Sequence, residues 1–291
     1  MTRGELIAEL AASLGARHEA RFIVEEVLGE PRRSPGSGEA VDAGAIDTAR
    51  ALAARRRAGE PLQYVLGHWG FRTLDLLVDP RVLIPRPETE QVVDVALGEL
   101  GRLGRPAPRV VDAGTGSGAI VLSLAAELAQ HHATGCLWGT DASPDALEVA
   151  RVNLGRVRRQ YEGRVLPVHF AQGSWLRPLP AHVAGWVDLV VSNPPYIPRT
   201  AWSDLPGEVR REPAAALVAS DSTGGTPGLG DVEDVLSQAW TTLARPGAVV
   251  VELSPEQADA AALMARAMGY CDVRVEMDLA RRPRALVGRT R

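Results

Sequence analysis

Between residues 188 and 196 the chain reads Asp-Leu-Val-Val-Ser-Asn-Pro-Pro-Tyr, an apolar run that ends in a small polar cluster. Asn193 brings a side-chain amide, Pro194 a backbone carbonyl, Pro195 a second fixed φ and Tyr196 an aromatic face. Two prolines directly after a strand end its ladder and stiffen the turn. The Asn193 side-chain oxygen and the Pro194 carbonyl can each accept one N–H of a single planar NH2 group. Such a nitrogen is a poor nucleophile because its lone pair is delocalised. Holding both hydrogens favours a geometry in which the lone pair faces an electrophilic methyl group. Tyr196 can lay its ring beside the nitrogen, where positive charge develops. No general base is needed, since the methylated nitrogen becomes acidic and can release its proton to water. The competing reading is an ordinary proline-rich turn.

A second cluster lies upstream. Arg109-Val-Val-Asp-Ala-Gly-Thr-Gly-Ser-Gly-Ala-Ile predicts a strand, a glycine loop and a helix in succession. Gly114, Gly116 and Gly118 allow a tight turn and close approach to a ligand at the carboxyl end of the strand. Thr115 and Ser117 alternate with them, and Asp112 ends the strand, where its carboxylate can meet a cation or a hydroxyl. The loop also satisfies the loose dinucleotide pattern, with Ala119 in the third small position. By itself it therefore specifies only a nucleotide-like cofactor. Asp141 follows a second strand, in Thr-Asp-Ala-Ser-Pro, and can accept from both hydroxyls of a ribose. Its competing role is a helix N-cap, for which Ser143 is better placed.

These clusters need a sheet to bring them together. From residue 88 short β-branched runs at 109–111, 136–139, 165–170, 187–191 and 248–253 alternate with helical stretches near 118–130, 144–159, 229–244 and 255–268. That alternation predicts an α/β fold with a mostly parallel sheet and helices on both faces. The segments 271–277 and 284–287 predict an antiparallel hairpin at its edge. Before this, residues 4–29 carry apolar positions at helical spacing and predict two short amphipathic helices. Pro31 to Gly38 reads as a loop. Residues 42–58 predict a third helix ending in Arg55, Arg56 and Arg57, either a solvated helix end or a binding patch. The span Trp69 to Val78 predicts a hairpin.

Composition narrows the function classes. With 45% hydrophobic and 23% charged residues among 291, the chain is an ordinary globular protein long enough for one large or two ordinary domains. No apolar run reaches membrane-spanning length, and Met1 to Leu10 lacks a signal-peptide core, so a cytoplasmic location is expected. All 32 basic residues are arginine and the net charge is −4. Residues 1–80 carry 10 Arg against 12 acids and the rest 22 against 24, so neither part has the basic excess of a nucleic-acid binder. Cys136 and Cys271 have no metal or redox spacing and are expected to be buried.

Taken together, Asn193 to Tyr196 and the Asp-Ala-Gly-Thr-Gly-Ser-Gly loop resemble the amino-group methyltransferases. Three further stretches resemble the peptide chain release factor glutamine methyltransferases of the PrmC/HemK family. They are Gly59-Glu-Pro-Leu-Gln-Tyr-Val-Leu-Gly67, Val82-Leu-Ile-Pro-Arg-Pro-Glu-Thr-Glu90, and Val209 with Glu212-Pro213 and Ala216-Leu217. The resemblance covers nearly the whole chain and is weakest before residue 50. It implies a class I (Rossmann-like) methyltransferase domain with a seven-stranded, mostly parallel sheet, preceded by a small helical domain. The implied organisation is a substrate-binding domain over 1–66, a hairpin linker over 67–90 and a catalytic domain over 91–291. The implied reaction moves a methyl group from S-adenosyl-L-methionine to the glutamine N5 of a Gly-Gly-Gln motif in release factors. Asp112, Gly114 to Gly118, Asp141 and Asn193 would then hold the cofactor, with Trp175 near its adenine, and Asn193 to Tyr196 would hold the glutamine. For Trp175 the competing reading is plain core.

Two departures stand out. Ser174 sits where the family often has Asp, and Arg281 where it usually has Gly. Thr223 to Gly228 is expected to be a surface loop. The expected partner is a release factor met by a monomer, with no direct nucleic acid and no membrane. Three other readings compete. An adenine-N6 methyltransferase would use the same tetrapeptide on an extruded base. An NAD-dependent oxidoreductase would use the glycine loop but leave Asn193 to Tyr196 unexplained. A non-catalytic release-factor-binding module would not need the intact tetrapeptide.

Overall fold

The computed structural model describes residues 1–29, 40–131, 134–183 and 185–291, so the loop read at Pro31 to Gly38 lies outside the described residues. The chain divides into two compact units, Met1–His68 with Pro206–Arg211, and Trp69–Leu205 with Glu212–Arg291.

The smaller unit is helical: α1 (Arg3–Leu14), α2 (Arg17–Leu28), α3 (Ala43–Arg57) and the short α4 (Leu62–Leu66). A capping box between Thr2 and Glu5 starts α1, and Asp42 caps α3 by accepting from the amides of Gly44 and Ala45. Leu6, Leu10, Ile23, Val24, Ala49 and Ala53 form its core. The arginine run closing α3 is not a simple solvated end. Arg56 bonds Glu19 and Glu208, each at 2.8 Å, and Arg211 donates to the Ala58 carbonyl, which ties Pro206–Arg211 to this unit.

The larger unit, from Trp69, opens with a hairpin of β1 (His68–Phe71, all but its first residue in this unit) and β2 (Leu74–Leu77), followed by α5 (Pro87–Leu103). Residues 69–90 belong to the larger unit. Phe71, Leu74 and Leu76 lie in the same core as Val92, Val93 and Leu100 of α5. The helix α5 was not read from sequence, because Pro85 and Pro87 mimic a loop. Pro87 in fact occupies the first turn, where its missing N–H is harmless, and buried Val92, Val93, Ala96 and Leu100 keep helical spacing.

Then come β3 (Arg109–Ala113), α6 (Ala119–Leu128), β4 (Cys136–Asp141), α7 (Pro144–Gln160), β5 (Val168–Gln172) and β6 (Val187–Ser192). A small pair, β7 (Ile197–Pro198) and β8 (Val218–Ala219), precedes α8 (Gly230–Thr242), β9 (Leu243–Glu252), α9 (Ala258–Ala267), β10 (Cys271–Met277) and β11 (Pro283–Thr290). The main sheet is seven-stranded, in the order β10-β11-β9-β6-β3-β4-β5. Its pairs from β9 to β5 are parallel, and β11 and β10 add the expected antiparallel edge.

Every residue of β6 is buried, as a central parallel strand covered on both faces requires. Burying one such Val or Leu stabilises the fold by about 1.5–3 kcal/mol. Asp188, the one charge in β6, accepts from the Arg109 amide at 2.9 Å and lies 3.3 Å from the Arg105 guanidinium. Two sequence boundaries move. The strand expected from Val165 starts at Val168, after a turn at Gly163, and the last parallel strand starts at Leu243. Cys136 and Cys271 are only partly buried. Among the described residues no helix is long and apolar enough to cross a membrane.

Candidate active site

The chain leaves β3 and returns as β4 and β5 on one side, then crosses to β6 on the other. The β3–β6 boundary is thus the switch point where such sheets bind ligands, beyond the carboxyl ends of their strands. Register sets the levels: Ala113 pairs with both Thr140 and Ser192, and Ser192 pairs with Val251. Gly114, Asp141, Asn193 and Glu252, each one residue further on, share that edge.

The glycine loop is built as its composition demands. Gly114, Gly116 and Gly118 have φ of 78°, 54° and 86°, in the left-handed region that side chains disfavour. A Cβ on Gly114 would lie 3.1 Å from the Trp175 ring, and one on Gly118 would lie 2.9 Å from Leu122. The amides of Gly114 and Thr115 donate to the Thr140 carbonyl at 2.9 and 2.8 Å. Asn153 on α7 donates to the Ser117 carbonyl at 2.9 Å and to the Leu77 carbonyl at 3.1 Å, joining loop and hairpin.

Asp112 does more internal work than the sequence suggested. It is fully buried, and its Oδ2 accepts from the Thr115 hydroxyl at 2.7 Å and the Val121 amide at 3.2 Å. Its Oδ1 is buried with no hydrogen-bond partner. Burial pushes this carboxyl up to about 7. Thr115 and Ser117 are buried too, so their side chains shape the loop.

Asp141 accepts from the Gly116 amide at 2.8 Å and the Ser143 amide at 2.9 Å. The Ala142 amide is a further backbone partner, and the carboxylate, with about four acceptor positions, keeps part of its capacity to offer. Ser143, as expected, caps α7 by accepting from the Ala146 amide. Trp175 is a non-glycine residue at φ 51°, and its half-buried ring packs on the α8–α9 side of the core and over Gly114. It thus serves the core and walls the loop at once. Ser174 beside it is exposed.

At the end of β6, Ser192 donates to the Ala113 carbonyl at 2.6 Å, fastening the two central strands. Asn193 is half-buried and Pro194 buried. The Asn193 Nδ2 donates to the Thr89 hydroxyl oxygen at 3.2 Å, and Thr89 donates to Glu252 Oε2 at 2.7 Å. The Tyr196 carbonyl accepts from Gln257 at 3.0 Å, and Ile197 then enters the β7–β8 pair. Burial pushes the Tyr196 phenol above its ordinary range, with Glu252 adding to the rise, so the ring stays neutral.

Thr89 and Glu252 were missed by sequence reasoning. Thr89 stood in the Pro-Arg-Pro-Glu-Thr-Glu stretch, which read as interdomain. Glu252 is a carboxylate ending an apolar strand, a signal that was present. Both are buried, as is Glu212, which pairs with Arg86 and accepts from the Ile84 amide at 3.0 Å. The stretches at 82–90 and 212–217 thus meet beside the tetrapeptide. The Thr223–Gly228 segment is a surface loop only as far as Pro227. Gly228 is buried, and a Cβ there would lie 2.6 Å from the Tyr196 carbonyl oxygen. Arg281, the other departure, has φ 60°, the conformation that glycine prefers. Asp278 holds that turn by accepting from the Ala280 and Arg282 amides, both at 2.9 Å.

A mostly parallel sheet with a glycine loop and an Asn-Pro-Pro-Tyr turn at its switch point defines a Rossmann-like methyltransferase fold. Solved structures agree on the fold. The hMettl16 catalytic domain superposes with a TM-score of 0.53 at 13% identity, covering 85% of this chain and 82% of that one. A methyltransferase from Pyrococcus furiosus gives 0.50 at 17%, covering 84% and 97%. Residues 4–67 match the PrmC N-terminal domain family. Release factor glutamine methyltransferases from Bordetella pertussis and Escherichia coli are 40% and 33% identical, over 94% and 98% of this chain and 96% of each relative. The enzyme of that name from Vibrio cholerae is 38% identical over 81% of this chain and 76% of its own length. The chain belongs to the release factor glutamine methyltransferase family.

Proposed function

We propose that this protein transfers a methyl group from S-adenosyl-L-methionine to the side-chain amide nitrogen of the glutamine in the Gly-Gly-Gln motif of peptide chain release factors. The observation that carries it is the orientation of Asn193. Its NH2 is engaged by Thr89, which leaves Oδ1 as an acceptor, with the Pro194 carbonyl next along the chain as a second. Two acceptors suit a neutral primary amide, whose two N–H groups they can hold.

The residues fit the proposed cofactor. A glycine loop turned by three left-handed glycines allows close backbone approach, and Asp141 keeps acceptor capacity beyond its backbone partners for a ribose hydroxyl. The orphaned Oδ1 of Asp112 suits an ammonium group or a water bound to one. Trp175, over Gly114, would flank the adenine. When bound, the sulfonium donor supplies the electrophilic methyl group and its leaving group. The chain's own residues do the rest. Asn193 Oδ1 and the Pro194 carbonyl hold the acceptor nitrogen, and the prolines keep both oxygens still. The neutral Tyr196 ring faces the charge that develops, so the protein contributes position and electrostatics. The proton leaves to water.

The helical unit, near residues 1–66, is proposed to help hold the release factor, and the enzyme to act as a cytoplasmic monomer. The relatives' names favour an amide over an adenine as acceptor, and the charge balance agrees. The test is mass spectrometry of a purified release factor after incubation with enzyme and donor. One added methyl on the Gly-Gly-Gln glutamine is expected, and none on a Gln→Glu release factor. Methylation of DNA or RNA without any on release factors would refute the proposal.

A further inference from the structure

We infer that Thr89 and Glu252 act as a positioning pair that fixes which face of the Asn193 amide is offered to the acceptor nitrogen. This deepens the proposed function and rests on it for the identity of the acceptor. A threonine hydroxyl has one proton. In the structure it is directed to Glu252 Oε2 at 2.7 Å. Toward Asn193, Thr89 Oγ1 can then only accept, so it selects Nδ2, at 3.2 Å, and turns Oδ1 away from itself. The reversed amide would set Oδ1 against the hydroxyl's lone pairs, with no proton between them.

The two partners sit on rigid elements. Thr89 lies in the first turn of α5 with 4% of its surface exposed, and Glu252 ends β9 with 1% exposed. A carboxylate buried that deeply is expensive, and one hydroxyl donor repays little of the expense. Stability therefore gives a poor account of Glu252. Direction of hydrogen bonding gives a better one.

The arrangement predicts a dependence on protonation. Burial pushes the Glu252 carboxyl up to about 7, opposed by the Thr89 hydrogen bond and by Arg284 and Arg86, with Glu88 adding to the rise. Those groups face it from β11 and from the start of α5, and Tyr196 faces it from the tetrapeptide turn. Asp278 stands behind Arg284 at 3.3 Å. With Glu252 protonated, its own O–H can donate to Thr89 Oγ1, which frees the threonine proton to point at Asn193. Oδ1 is then drawn to Thr89, and an NH2 donor meets the acceptor amide where an oxygen should be. A neutral amide acceptor has no titration of its own in this range, so an ascending limb would belong to the enzyme.

The test has two readouts. The first is the Asn193 side-chain NH2 resonance in nitrogen-labelled enzyme, identified by its loss in Asn193→Ala. It should titrate near neutral pH in the wild type and stay unmoved in Thr89→Val. The second is the single-turnover methylation rate on a release factor, at saturating methyl donor at every pH, between pH 5.5 and 8.5. The wild-type rate should rise through neutrality. Thr89→Val should be at least about tenfold slower at pH 8, with a flat profile and methyl-donor affinity within about threefold of wild type, whereas Glu252→Gln keeps a carbonyl acceptor for the Thr89 proton and should hold a near-wild-type rate at pH 8 with a flat profile. Thr89→Ser keeps the hydroxyl and should restore both rate and limb. A wild-type rate and limb in Thr89→Val, or a resonance that still titrates in Glu252→Gln, would overturn the inference. If the wild type leaves release factors unmethylated while the resonance still follows Glu252 through Thr89, the proposed substrate falls and the pair stands.

Discussion

Replacing Asp112 with asparagine removes an ionisable carboxyl that the fold buries at the base of the glycine loop. The carboxyl is fully buried, and its pKa rises from 3.8 to about 7, chiefly through desolvation. For an acid raised in the folded state the sign is the reverse of the familiar salt-bridged case. The native state holds its proton between pH 3.8 and 7 while the unfolded chain loses it. Stability is therefore fullest below the unfolded pKa, falls as pH rises toward 7, and levels off above it. At about 1.4 kcal/mol per pKa unit, the loss from acid to pH 8 is about 4 kcal/mol, of which about 2 kcal/mol falls between pH 5.5 and 8. Asp112→Asn keeps a carbonyl oxygen for the Thr115 hydroxyl and the Val121 amide but has no proton to lose. Glu252 contributes a slope of the same sign, and it cancels when variant and wild type are compared at each pH. Urea unfolding of both proteins across this range should show the variant gaining about 2 kcal/mol on the wild type from pH 5.5 to 8. Above pH 7 the same change removes an anionic oxygen proposed to face the methyl donor's ammonium, so calorimetry at pH 8 should find donor binding weakened by about tenfold. A stability difference that stays constant with pH to within about 0.5 kcal/mol would refute the linkage reasoning.

Three further expectations follow from the same geometry. Asp141→Ala should weaken methyl-donor binding by about tenfold or more, read by calorimetry, because it removes the proposed ribose acceptor and frees the Gly116 amide. Gly114→Ala places a Cβ 3.1 Å from the Trp175 ring at φ 78°. It should cost about 1–2 kcal/mol in thermal or urea unfolding, and no measurable loss would mean that the loop adapts freely. Asn193→Ala should slow single-turnover methylation by about 100-fold with a smaller effect on donor affinity. Tyr196→Phe, which keeps the ring face, should be milder than Tyr196→Ala. Equal rates in the two Tyr196 variants would remove the ring from the mechanism.

What the sequence determined is mostly local. Apolar spacing placed α1 and α2, because a helix must bury one stripe. β-branched runs placed the central strands, because a parallel sheet is covered on both faces. Gly114, Gly116 and Gly118 announced their loop, because few other residues tolerate positive φ there. The prolines of residues 193–196 announced a stiff turn. What the tertiary structure decided is long-range. Strand order and register bring Thr89, Asn193 and Glu252 to one edge, though 163 residues separate the outer two. Nothing in local periodicity encodes such a meeting, because it depends on which strands pair. The Pro-Arg-Pro-Glu-Thr-Glu stretch read as a linker until α5 packed it beside β9. Asp112 read only as a ligand contact, and the packed structure adds the bonds of its Oδ2 to Thr115 and Val121. In each case the residue type was visible in the sequence, and its partner was set only when distant elements packed and excluded water from the groups between them.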